Sequence, residues 1–95
     1  MSLSITTITE SGSLTGNSDI FFFNASSNDI TFTMGDITGD GVSYIFKRID
    51  ASDEHIVTLQ GFNSNQTIDG QVSLLFSPNR SFRIISYNGS WTLLY

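Results

Sequence analysis

The 95 residues carry a net charge of −5, only 14 % of them are charged, and there is no cysteine. A chain of this length makes one domain and buries only about 60–65 % of the surface that its unfolded form exposes. Disulfides and a Cys/His zinc site are excluded, the negative sign disfavours nucleic acid and anionic lipid as partners, and no apolar run is long enough for membrane insertion.

The chain opens on "MSLSITTITESGSL", which lacks the basic and apolar regions of a secretory signal; residues 1–3 read as a candidate cloning remnant. Short runs with strand character then follow at residues 4–9, 19–23, 30–34, 42–49, 55–59, 71–76, 81–87 and 91–95. Between them lie "SGSLTGNS", "NASSN", "GDITGDG", "DASDE", "GFNSNQTIDG", "SPNR" and "NGS". Isoleucine and phenylalanine favour pleated surfaces, and Ser, Asn, Asp and Gly favour turns. The class is all-β, and the spacing predicts a small antiparallel sandwich or barrel of about eight strands in a single domain.

"DIFFFNAS" poses a packing problem. On a strand, successive side chains alternate between faces, so Phe21, Phe22 and Phe23 cannot all point into one core. A short chain has little material to cover a second face. This predicts a homo-oligomer, a trimer above all, with Phe21 or Phe22 at the subunit contact.

The chain also repeats. "FNASSNDITFTMG" at residues 23–35 aligns without gaps on "IDASDEHIVTLQG" at residues 49–61, an offset of 26. This alignment sets Phe23 against Ile49, places Phe23 in the core, and sets Phe22 against Arg48. Asn24, Asp50 and Asn88 each have the side chain for an Asx turn, and Asn88-Gly89 is the favoured dipeptide of a type I′ hairpin. Two and a half copies are fewer than a solenoid needs, which favours a compact sandwich.

Signals of chemistry are weak. "DITGDG" offers oxygens at Asp36, Thr38 and Asp40 in the spacing of a calcium loop, but the twelfth position, where a bidentate acid belongs, is Lys47. A turn is the better reading, and no metal or other cofactor is expected. Ser52, Asp53 and His55 supply the residue types of a hydrolytic triad, yet side chains from one turn rarely converge, so no catalytic residue is assigned. Glu10 and Glu54 are the two glutamates, too few for a convincing pair of opposed catalytic carboxyls. Glycosylation patterns at Asn24, Asn65, Asn79 and Asn88 are expected by chance in so Asn- and Ser-rich a chain. The loop "GFNSNQ" is the candidate ligand loop: Phe62 is an aromatic platform, and Asn63, Asn65 and Gln66 are polar groups suited to sugar hydroxyls.

Residues 19–95 resemble a β-structured module of phage and large-virus tail-fibre, tailspike and virion-surface proteins. The elements that carry the resemblance are the strand at residues 44–49, Asp50-Ala51-Ser52, Ile56-Val57-Thr58-Leu59, Thr67-Ile68-Asp69-Gly70 and Asn88-Gly89-Ser90-Trp91. The loop "GFNSNQ" is richer in asparagine than the family pattern. The resemblance implies a homotrimeric structural element of a virion appendage, without enzymatic chemistry of its own, that displays loops to a host-surface glycan or receptor. A stand-alone carbohydrate-binding module is the alternative.

Overall fold

The computed structural model describes residues 3–15 and 18–94. It has nine strands: β1 Ile5–Ile8, β2 Gly12–Ser13, β3 Ile20–Phe23, β4 Ile30–Thr33, β5 Ser43–Arg48, β6 Val57–Gln60, β7 Ser73–Leu75, β8 Ser81–Tyr87 and β9 Ser90–Leu94. No helix occurs among the described residues. Each of the eight expected strands is present, with ends within about two residues of the sequence estimate. Met1, Ser2 and Tyr95 lie outside the described residues. The additional strand, β2, is two residues of a Gly/Ser-rich stretch that carries no strand signature of its own.

The strands form two sheets, in the orders β1-β3-β5-β8-β9 and β2-β4-β6-β7, which share one core. The expected antiparallel arrangement does not hold. Both sheets are mixed: β1, β3 and β5 are parallel, as are β2, β4 and β6, and antiparallel pairing begins only with β7, β8 and β9. The chain alternates between sheets through β1 to β6, so each corner sends it across the core rather than back along its neighbour.

The repeat is the pitch of this winding. Phe23 lies level with Arg48, 25 positions on, and Ile30 level with Val57, 27 positions on. The ungapped offset of 26 averages two corners of unequal length, and so it is out by one residue in each sheet, in opposite directions. Phe22 stands beside Lys47 rather than Arg48, and Ile49, aligned by sequence with the core residue Phe23, is 42 % exposed.

The three phenylalanines divide as alternation requires. Phe21 and Phe23 are 2 % and 0 % exposed, and Phe22 is half-buried on the outer face. Phe21 packs on Phe46 with ring centroids 5.5 Å apart, and Phe23 on Phe32 of the opposite sheet at 5.1 Å, both near edge-to-face. Such pairs contribute about 0.5–1.5 kcal/mol beyond area burial. The expected subunit contact at Phe21 or Phe22 thus narrows to Phe22: the chain itself encloses Phe21, and of the three rings only Phe22 remains available to a neighbour.

Local turn chemistry sets the corners. Asn24 Oδ1 accepts the Ser26 N–H at 3.1 Å and Asp50 Oδ2 accepts the Ser52 N–H at 3.1 Å, two of the three expected Asx turns. Asn88 and Gly89 have φ of 52° and 78°, as a two-residue type I′ turn between β8 and β9 demands.

Candidate functional site

Three regions carry the residues singled out by sequence. The first is the outer face of the five-stranded sheet. Pairing registers place Ile5, Ile20, Ile45, Arg83 and Leu94 in one row across all five strands, and Thr7, Phe22, Lys47 and Ser81 in the next. Ile5 and Leu94 are exposed, and Ile20, Phe22 and Ile45 are half-buried by their neighbours in the rows. An apolar band thus crosses the sheet with two cations set in it, on a chain that is acidic as a whole. Sequence inspection found Phe22 here but missed the isoleucines, because their alignment in one row depends on the parallel register.

The second region is the corner after β5. Arg48 is buried, and all three of its guanidinium nitrogens donate hydrogen bonds. Nε and Nη2 donate to the two oxygens of Asp50, each at 3.0 Å. Nη1 donates to the Phe76 carbonyl at 2.8 Å, and Nη2 also donates to the Ser52 and His55 carbonyls. Asp50 accepts in addition the backbone N–H groups of Ala25 and Ser52. Burial pushes the Asp50 carboxyl up, but the Arg48 hydrogen bond, the two backbone N–H groups and the guanidinium charge together outweigh it and hold the carboxyl at about 2. This pair joins one coil to the next and fixes the corner of residues 50–55. Sequence inspection overlooked Arg48, whose burial follows from a one-residue register shift.

The hydrolytic residue set does not come together at that corner. Ser52 Oγ lies 3.5 Å from His55 Nδ1 and accepts the Glu54 N–H at 3.2 Å. The buried carboxylate there, Asp50, is committed to Arg48 and the backbone rather than to the imidazole. The calcium-like spacing also disperses. Asp36 Oδ1 accepts from Gln66 Nε2 at 2.6 Å, and Asp40 Oδ1 accepts the Asn88 N–H at 2.9 Å. Among the described residues no three His, Cys, Asp or Glu side chains cluster as metal ligands do.

The third region is the loop 62–66. Asn63 Oδ1 accepts the N–H groups of Asn65 and Gln66, and Gln66 reaches the 36–37 segment, donating to Asp36 and accepting the Ile37 N–H at 2.8 Å. Two of the four candidate ligand residues thus shape the scaffold, while Phe62 and Asn65 stay exposed. Trp91 is buried, and its strand meets residues 67–69 through backbone hydrogen bonds.

No family model, curated protein or solved structure matches this chain.

Proposed function

We propose that the chain is a structural β module of a virion appendage or surface protein, without catalytic activity, which assembles as a homotrimer through the outer face of its five-stranded sheet. The observation that carries this reading is the band of Ile5, Ile20, Phe22, Ile45 and Leu94, which no element of the same chain covers among the described residues. Burial of an aliphatic or aromatic side chain contributes roughly 1.5–3 kcal/mol, and a band of five is large beside a total domain stability of about 5–15 kcal/mol. The resemblance of residues 19–95 to tail-fibre and virion-surface modules supports the same reading. Display then means rigidity: the two sheets fix the loops, and subunit packing adds the stability that one small core lacks.

Light scattering on the purified chain tests the assembly. A solution mass of three times 10.5 kDa supports it, and a stable 10.5 kDa species at micromolar concentration overturns it. Immunogold labelling of virus particles encoded beside the chain tests its place on the virion. A stand-alone carbohydrate-binding module working through Phe62, Asn63, Asn65 and Gln66 has less support, since Asn63 and Gln66 are engaged within the fold.

A further inference from the structure

At one end of the four-stranded sheet, the corner of residues 52–56 and the turn after β7 border a groove of about 210 Å³. Asp53, Ile56, Leu75 and Pro78 are among its lining residues. Ile56 and Leu75 are 52 % and 67 % exposed, so this apolar wall is open to a partner rather than sealed in the core. Asp53 and its neighbour Glu54 are exposed as well, and Asp29 meets the groove by accepting the Ile56 N–H at 2.9 Å. Three carboxylates against one cation, Arg80 of the 77–80 turn, make this end of the molecule negative.

The outer face of the five-stranded sheet has the opposite sign. At the outward positions of its strands the charged side chains are Lys47 and Arg83, with no carboxylate beside them. Among the described residues the only ion pair is Arg48 with Asp50, so Lys47, Arg83, Asp53 and Glu54 all lack a partner of opposite charge within the chain. Packing such faces directly on one another gathers two cations from every copy without a counter-charge, and like charges brought together and desolvated are destabilising. A three-fold ring has another solution, because each of its contacts joins two different patches of the same chain. The outer face then needs a complement that is apolar and acidic, and the groove is both.

We propose that in the homotrimer the outer face of one copy docks on the Ile56–Leu75 groove of the next. Phe22 and Lys47 stand side by side on β3 and β5. The ring of Phe22 takes the apolar wall, and the ammonium of Lys47 meets Asp53 and Glu54. This inference rests on the homotrimer reading and names the second surface which that reading requires.

The test is light scattering on the full chain over a range of concentration and salt. Lys47→Glu, and separately Asp53→Lys with Glu54→Lys, change solvent-facing charges, and circular dichroism should show each variant folded as the parent is. Each should raise the concentration needed to hold the trimer by about tenfold or more, and combining all three substitutions in one chain should restore it. Leu75→Ser should weaken the trimer in the same way. Salt should dissociate the parent trimer, since it screens an attraction; a face-to-face contact between cations would respond in the opposite sense. A parent chain that is monomeric defeats the homotrimer reading and this docking with it. A trimer whose mass is unmoved by Asp53→Lys with Glu54→Lys and by Leu75→Ser, or one strengthened by salt, defeats the docking alone. A folded triple variant that stays monomeric overturns it as well.

Discussion

Phe23 and Arg48 lie side by side on the parallel strands β3 and β5, and both are buried. One coil puts a benzyl ring at this level and the next puts a guanidinium. The charge is tolerable there because the Asp50 carboxylate and three backbone carbonyls receive the guanidinium N–H groups. The position is apolar in one coil and ionic in the next, and a search for matching residue types passes over it.

Removing the partner should be costly. Asp50→Ala leaves Arg48 buried without its counter-charge and takes the acceptor from the Ala25 and Ser52 N–H groups. A loss of about 3–5 kcal/mol is expected, read as a lower urea midpoint.

The same pair predicts an acid-sensitive step. Asp50 titrates at about 2 in the folded chain against an ordinary 3.8, so the unfolded chain takes up its proton first. The associated stability is therefore complete above about pH 4 and is lost as pH falls through about 2. The difference of nearly two pKa units corresponds to about 2 kcal/mol. Urea midpoints measured between pH 5 and 2 should fall, and Asp50→Asn should start lower and decline less over that window.

Adjacent phenylalanines should separate stability from assembly. Phe21→Ala empties part of the core and should cost roughly 3–5 kcal/mol. Phe22→Ser alters only the outer face and should melt within a few degrees of the parent chain when monomeric, while the light-scattering mass shifts toward 10.5 kDa. An unchanged mass for Phe22→Ser would remove Phe22 from the subunit contact.

Gly61 has no room for a side chain. A Cβ there would sit 2.1 Å from the Gln66 carbonyl oxygen and 3.2 Å from Thr67 Cα, so backbone must move. Gly61→Ala should destabilise by about 1–3 kcal/mol, a shift of roughly 4–8 °C per kcal/mol in a domain of this size. Because Gln66 holds the 36–37 segment, the Ile37 amide should also exchange faster with deuterium in this variant.

Composition and alternation made the elements legible. β-branched and aromatic runs marked eight strands, Asn24, Asp50 and Asn88-Gly89 marked three turns, and the period of two divided Phe21 and Phe23 from Phe22. These features depend on neighbours in the chain, so no knowledge of distant contacts was needed. The candidate sites were less legible. The groove brings Asp53, Ile56 and Leu75 together from two parts of the chain, and no sequence spacing announces it.

Strand content and turn sites were thus determined by the sequence itself, because backbone preference and side-chain alternation act over a few residues. Tertiary structure alone decided that the first six strands wind in parallel between two sheets. An Asx corner such as Asn24-Ala25-Ser26 satisfies its backbone equally well whether the next strand turns back beside the last or crosses to the opposite sheet. That choice falls to long-range packing: crossing seats Phe32 of β4 against Phe21, Phe23 and Phe46 of the other sheet, and burial of those rings selects the winding.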